Sequence, residues 1–376
     1  DPDNGKFYYA KVYLNDGKGN FTKKADALPK MLTSTGCAVS ADINGDGKMD
    51  LFVGGRVIPG RYPEAPRSYV LINDGKGNFS DQTKSIAAEL EHLGMVTDAV
   101  WVDLNGDQKQ DLIVVGEWMP ISVWINQSGK LIDKTSDYFS KNYTGWWNKI
   151  FVQDLNGDGK PELLIGNMGT NSQCKVSDAE PAEMLYKDFD ENGSIDPILS
   201  FYIQGKSYPY ITRDEMLDQM SIMRTRFQSY KSYAEASLAE IFTGEELKNA
   251  RKLEANYLKT AYFESGPDGK FIERALPVEV QNAPVYTITP VDYNQDGITD
   301  FVMCGNINHA RLRFGKYDAN YGILLQGEGK GNFRYVPQYL SGFKLKGDVR
   351  SVLPIGNKLF FGINYNEIQS YQINPL

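Results

Sequence analysis

Five short loops in this chain gather acids and amides in one spacing: DINGDGKMD at 42–50, DLNGDQKQD at 103–111, DLNGDGKPE at 154–162, DFDENGSID at 188–196 and DYNQDGITD at 292–300. Loop positions 1, 3, 5 and 9 carry an oxygen-bearing side chain in every copy. Carboxylates crowded this closely repel one another unless a hard cation neutralises them, and a set of donors made only of oxygen suits calcium. The twelve-residue EF-hand loop opens in the same way but closes with a bidentate Glu at position 12. Here that position holds Val53, Val114, Ile165, Leu199 and Met303, none of which can supply a carboxylate.

The runs after the loops, LFVGG, LIVVG, LLIGN, PILSF and FVMCG, are short, apolar and rich in β-formers, and most end in a Gly or Asn that reads as a breaker. The unit is therefore strand, acidic loop, strand. Beyond it lie a third strand and a Gly-rich hairpin, seen in VYLNDGKGNF (12–21), VLINDGKGNF (70–79), VWINQSGKL (123–131), YFESGPDGKF (262–271) and LLQGEGKGNF (324–333). Asn or Asp beside Gly is the chemistry of a tight hairpin turn. Four antiparallel strands per unit, with loops opening at 42, 103, 154, 188 and 292, is the pattern of a β-propeller blade.

These observations predict an all-β chain, a single β-propeller over 1–376 with six four-stranded antiparallel blades, seven being the alternative count. A sixth unit, its acids lost, reads DVRSVLPIGNKLFFGINYNEIQSYQI at 348–373, and residues 1–27 are expected to close the ring with 345–376. Between 213 and 257 the alternation stops and helix formers take over, which predicts a helical insertion. Its apolar face of Met216, Met220, Met223 and Phe227 packs on the propeller or, alternatively, forms a lid for a partner.

A net charge of −8 argues against a nucleic-acid surface, which needs a cationic excess. Three cysteines, Cys37, Cys174 and Cys304, show neither CxxC spacing nor an even count, so neither zinc nor a disulfide framework is indicated. No apolar run is long enough to span a membrane. The chain opens on DPDNG with no secretory signal and is expected to be a mature or excised part of something longer.

The DxNxDGxxDL loop, its apolar strand and the NDGKGNF hairpin resemble the FG-GAP and VCBS repeats of integrin-α-like propellers. The phrases GGRVIPGRYPEAPRSYVLINDGKGNF, DFDENGSIDPILSFYIQGKSYP and RFGKYDANYGILLQGEGKGNF are similar to Bacteroidetes surface proteins of the VCBS type and to the cartilage acidic protein and UnbV group. The resemblance implies an extracytoplasmic propeller with about five Ca²⁺ sites. The ligands it implies are Asp42, Asn44, Asp46 and Asp50 with the carbonyl of Lys48, then Asp103, Asn105, Asp107 and Asp111 with that of Lys109. The third set is Asp154, Asn156, Asp158 and Glu162 with the carbonyl of Lys160, and the fourth is Asp188, Asp190, Asn192 and Asp196 with that of Ser194. The fifth is Asp292, Asn294, Asp296 and Asp300 with the carbonyl of Ile298. The ions are expected to be structural.

The loops opposite the acidic ones collect Arg56, Arg61, Arg67, Trp118, Arg311, Arg313 and Tyr317, and Arg with aromatics is the composition of interface hot spots. Salt bridging between blades is the plainer use of the same arginines. Trp146 and Trp147 read as packing residues before a strand, with a sugar platform as the alternative. With two histidines in the chain and no singular acid pair, no catalytic constellation stands out. Two functions remain open: a calcium-stabilised protein-binding, adhesion or assembly module of a bacterial cell surface or outer-membrane complex, or a polysaccharide-active lyase or glycosidase on a propeller scaffold. A protein partner is expected, and a glycan is the alternative ligand.

Overall fold

Each apolar run that follows an acidic loop is a strand whose alternate residues serve two different cores. In the computed structural model, which describes residues 10–310 and 315–374, a hairpin of β1 (Val12–Asn15) and β2 (Phe21–Lys24) leads to a meander of β3 (Ser34–Ala41), β4 (Asp50–Val57), β5 (Tyr69–Asn73) and β6 (Phe79–Asp81). The second sheet contains β7 (Met95–Val102), β8 (Asp111–Pro120), β9 (Ser122–Gln127) and β10 (Lys130–Asp133), with β11 (Thr144–Trp146) added beside the end of β8. The third begins with β12 (Lys149–Gln153) and β13 (Glu162–Gly166).

There the chain departs. It builds β14 (Ala182–Lys187), β15 (Asp196–Ile203), β16 (Lys206–Pro209) and β17 (Arg251–Ala255) into a separate sheet of order 16-15-14-17. It then returns to complete the third sheet with β18 (Ala261–Ser265), paired to β13, and β19 (Phe271–Arg274). The fourth meander is β20 (Val285–Val291), β21 (Asp300–Gly305), β22 (Ile323–Gly329) and β23 (Asn332–Val336), and the last is β24 (Val349–Ile355), β25 (Lys358–Ile363) and β26 (Gln369–Gln372).

The alternation explains the stacking. Leu112 and Val114 join Phe52 and Val70 of the first sheet, whereas Ile113 and Val115 between and beyond them join Leu163, Ile165 and Phe263 of the third. Leu164 turns instead to Phe301, Met303 and Leu325 of the fourth, and Val302 and Cys304 turn to Leu359 and Phe361 of the last. Side chains on a strand point to opposite faces at period 2, so a continuous apolar run is what a sheet sandwiched between two others requires. Five sheets thus follow face to face, their leading strands β3, β7, β12, β20 and β24 adjacent in turn. The glycines ending the runs make room for the leading strand of the next sheet rather than break strands. A Cβ on Gly54 would lie 2.4 Å from Val96 Cγ1, and one on Gly166 would lie 2.5 Å from the Val285 carbonyl oxygen.

Several expectations change. The structure is all-β and antiparallel, but the unit at 188–196 is not a successive blade: it is nested inside the third sheet, and the 262–271 hairpin belongs with the loop at 154–162. This nesting accounts for the short spacing between the third and fourth loops. Within 1–27, β1 and β2 pair only with each other and adjoin the first sheet, Ala27 accepting a hydrogen bond from Phe79 N–H. They add no strand to β24–β26. Residues 1–9 of that stretch lie outside the described residues.

The insertion holds helices at Arg213–Gln219, Met223–Arg226, Tyr230–Ala234 and Leu238–Ile241, but its last part is strand β17. Met216, Met220, Met223 and Phe227 are buried with Leu185 and Ile198 of the nested sheet. Arg226 clamps Glu246 through two nitrogens at 3.0 and 2.8 Å, which draws the Glu246 carboxyl down to about 2. A depressed carboxyl contributes stability above its unfolded value, about 4.3 for Glu, and loses it as pH falls toward the folded value. Glu246→Gln should therefore loosen 213–250 at neutral pH by about 1 kcal/mol, read as faster hydrogen exchange there, and acidification toward pH 2 should bring the wild type to the same state.

Candidate metal centres

One backbone register builds all five loops. The residue before position 1 pairs across the ladder with position 9: Ala41 with Asp50, Val102 with Asp111, Gln153 with Glu162, Lys187 with Asp196 and Val291 with Asp300. Position 6 lies in the left-handed region in every loop, at Gly47 (φ 77°), Gln108 (65°), Gly159 (82°), Gly193 (89°) and Gly297 (79°). Gln108 therefore makes the turn that Gly makes elsewhere, at a steric cost of about 1 kcal/mol.

The position-1 carboxylate turns the loop around itself. Asp42 accepts from Gly45 N–H (2.8 Å) and Asp46 N–H (3.0 Å) with Oδ1 and from Gly47 N–H (2.8 Å) with Oδ2. Asp103 repeats this with Gly106, Asp107 and Gln108, and Asp154 with Gly157 and Gly159. Asp188 accepts from Asn192 and Gly193, and Asp292 from Asp296 and Gly297. Asn44, Asn105 and Asn156 each accept from the N–H two residues on. Carboxylate and amide oxygens keep further lone pairs beyond these bonds. A ring of such oxygens is the donor set a hard cation takes.

Position 9 does something the spacing alone did not reveal. Asp50, Asp111, Glu162 and Asp300 are completely buried and Asp196 is 2% exposed. Asp50 accepts from Ile43 N–H in its own loop (3.1 Å) and from Asn73 N–H on β5 (2.8 Å). Asp111 does so from Leu104 (3.0 Å) and Asn126 on β9 (2.8 Å), and Asp300 from Tyr293 (3.0 Å) and Gly327 on β22 (2.8 Å). Glu162, one methylene longer, takes Leu155 N–H at 2.7 Å and reaches Ser265 N–H on β18 at 3.5 Å. One carboxylate thus ties loop, second strand and third strand together. Burial raises the pKa of all five, opposed by these backbone donors and reinforced by neighbouring loop acids. A cation relieves that repulsion.

The loops also join the sheets. Asn126 Nδ2 donates to the Ile43 carbonyl (2.9 Å), so the second sheet grips the first loop, and Gly331 N–H donates to the Leu155 carbonyl (3.1 Å), linking the fourth sheet to the third loop. Position 5 differs between loops. Asp46 and Asp107 turn to the ammonium groups of Lys48 and Lys109 at 3.2 and 3.0 Å. In the fourth loop position 7 is Ser194, and there Asp188, Asp190 and Asp196 each offer an oxygen within 4.8 Å of the others, the one such group of acids among the described residues.

The other expected residues lie on the opposite side. Arg56 pairs with Glu117, Arg61 with Glu64 (2.8 Å), and Arg67 with Asp81 (2.7 Å) and Glu91 (2.8 Å) while covering the Tyr69 ring. Trp118 is buried, donating to Tyr62 Oη (2.9 Å) and meeting Trp146 edge-on. Tyr317 is half-buried in the same apolar cluster, which the nested sheet covers with Met184, Phe201 and Ala255. An exposed aromatic patch at Trp118 is therefore not what the fold presents, because β14–β17 sits over it. Trp147 is fully buried and stacked on Tyr257. Arg311 and Arg313 lie outside the described residues.

The FG-GAP-like repeat family matches residues 3–53 and 103–165, which include the first three acidic loops. Two T-cell immunomodulatory protein homologs, from Plasmodium yoelii yoelii and Plasmodium falciparum (isolate 3D7), are each 30% identical to the chain, over 155 and 146 residues. Either match covers 35% of this chain and 20% or 19% of the relative, so the chain spans about a fifth of the length of the curated relatives it matches. The crystal structure of the V. cholerae biofilm matrix protein Bap1 superimposes with a TM-score of 0.36 at 12% identity, over 97% of this chain and 73% of that one. The chain thus carries FG-GAP-like repeats.

Two substitutions separate the roles within a loop. Asp50→Ala should cost about 3 kcal/mol even in chelator, because it strands two buried N–H donors, and more than that in calcium, whereas Asp46→Ala should lower the melting temperature in calcium and leave it unchanged in chelator. Gln108→Gly should raise stability by about 1 kcal/mol; thermal melts read all three.

Proposed function

We propose that the chain is a calcium-stabilised β-propeller that works outside the cytoplasm as a protein-binding and assembly module of a cell surface or outer-membrane complex. The observation that carries this reading is the buried acid at position 9, repeated in five loops and tied each time to its own loop and, in four of them, to the third strand. A buried carboxylate beside other carboxylates is unfavourable at neutral pH without a counter-charge. Bound calcium supplies that counter-charge. The chain's own part is to hold Asp42, Asp103, Asp154, Asp188 and Asp292 in place through backbone N–H groups, so that each loop is shaped before an ion arrives.

The ring proposed here would be built on the succession of sheets. Side chains from the first, second, fourth and last sheets meet around Tyr286, where Arg350 lies 3.8 Å over the ring and the phenol also feels Glu117, Arg56 and Asp348. Side chains of β4, β8, β20 and β24 gathered about one ring support the convergence that propeller blades require. Extracellular calcium modules bind with dissociation constants of about 10⁻⁴–10⁻³ M, matched to the calcium outside cells rather than inside. The loops serve as rivets, and the faces they hold rigid serve recognition.

Thermal unfolding in calcium and in chelator tests the reading. Each ion held at 100 times its dissociation constant adds about 2.7 kcal/mol, so five sites should raise the melting temperature by many degrees. The rise should shrink in Asp103→Asn and Asp292→Asn variants. An identical melting temperature in calcium and chelator would overturn the proposal.

A further inference from the structure

The hairpin of β1 and β2 runs against the charge of the rest of the chain. Residues 10–31 hold Lys11, Lys18, Lys23, Lys24 and Lys30 against Asp16 and Asp26, in a chain whose net charge is −8. Asp16 is spent inside the turn, where it accepts from the N–H groups of Lys18 (2.7 Å) and Asn20 (3.1 Å). Among the described residues none of the five lysines forms an ion pair. Cations gathered without carboxylates make a local positive field on an otherwise anionic protein.

The register sorts the ribbon into two faces. Val12 stands opposite Lys24 and Leu14 opposite Thr22, whereas Tyr13 stands opposite Lys23 and Asn15 opposite Phe21. The first face is turned to the first sheet: Leu14 Cδ2 and Lys24 Nζ come within 3.6 and 3.5 Å of where a Cβ on Gly77 would lie, and Lys24 donates to the Lys76 carbonyl. Period 2 then turns Tyr13, Phe21 and Lys23, with Lys11 two residues before Tyr13, away from that sheet. Tyr13 is 52% and Phe21 64% exposed, so two aromatic rings lie in water beside the cations. At the root of the ribbon a cavity of about 590 Å³ opens, with Lys11, Lys23, Lys24 and Lys30 in its wall and Asp26 the one acid there. Ala27, which accepts from Phe79 N–H at 2.8 Å, and the buried Met31 fix that root to the first sheet.

We propose that this face and the cavity at its root bind an acidic polysaccharide, a chain of uronate rings. The two side chains of a cross-strand pair stand about 5 Å apart, the span of one sugar ring in a polymer. A uronate ring can lay its apolar C–H face on Tyr13 while its carboxylate meets the Lys23 ammonium. Phe21, diagonal to Tyr13 on the same face, takes the next ring, and carboxylates further along reach the lysines of the cavity. Other polyanions fit less well. Duplex DNA carries one charge per about 1.7 Å, which a chain of net −8 repels, and phosphates are best held by the forked guanidinium of Arg, of which residues 10–31 have none. A lipid surface is flat and does not enter a cavity. The site is separate from the acidic loops and adds a glycan contact to the protein-binding role proposed above.

Calorimetric titration of the whole chain with hexagalacturonate and with a hyaluronan hexasaccharide tests this. The wild type should bind at least one of them, more weakly as salt rises, and should not bind methyl-esterified hexagalacturonate, which has lost its charge. Lys23→Glu and Tyr13→Ala should each weaken binding at least tenfold with the melting temperature unchanged, since both side chains are exposed, whereas Lys346→Glu, on another part of the surface, should leave it unchanged. Binding of neither acidic hexamer, equal binding of the esterified one, or an equal loss in Lys346→Glu would overturn the proposal. So would tighter binding of a single-stranded oligodeoxynucleotide or of phosphatidylserine vesicles than of the acidic sugars.

Discussion

A carboxylate with no access to water at the foot of each acidic loop is the constraint on which the architecture depends. It must accept hydrogen bonds, and the donors within reach are the N–H of loop position 2 and, in four loops, an N–H of the third strand. Meeting that demand fixes the register of three strands at once. A slip of one residue would strand the carboxylate and turn every apolar side chain to the wrong core. The same acid raises the electrostatic energy of its loop, a cost that its backbone donors offset in part and that a bound cation, on the proposed reading, offsets further. Strand register and the proposed cation site thereby hang on one buried group.

The stacking of sheets extends the constraint. Because successive residues of β8, β13 and β21 belong to different cores, none of these strands can be altered for one neighbour without touching the other. Gly54 and Gly166 keep the leading strands close where any side chain would collide. Against this rigid series the nested sheet and its helices are an addition made at one crossing, between β13 and β18, and the third sheet tolerates it because both strands still meet side by side.

The sequence made the loops and their flanking strands legible, since a spacing of oxygens at positions 1, 3, 5 and 9 ahead of an apolar run has few physical solutions. The hairpin turns were equally plain from Asn-Gly and Asp-Gly chemistry. The nesting was not legible: β13 and β18 are separated by a whole sheet and a run of helices, and only the 34-residue interval between Asp154 and Asp188 hinted that a unit was incomplete. Nor was the second duty of position 9, because its donors at Asn73, Asn126 and Gly327 carry no signature as backbone N–H groups. Trp118 read as an exposed anchor because its loop position was visible and the sheet covering it was not. The fourth loop, whose acids among positions 1, 3, 5 and 9 stand at 1, 3 and 9 rather than 1, 5 and 9, brings three carboxylates within 4.8 Å of one another.

The most direct measurement is a crystal structure of the chain grown with a lanthanide in place of calcium, read by anomalous scattering. The account predicts one strong peak within each loop, surrounded by the oxygens of positions 1, 3, 5 and 9 at about 2.3–2.6 Å. Ordered loops without anomalous density, their buried acids intact, would contradict it.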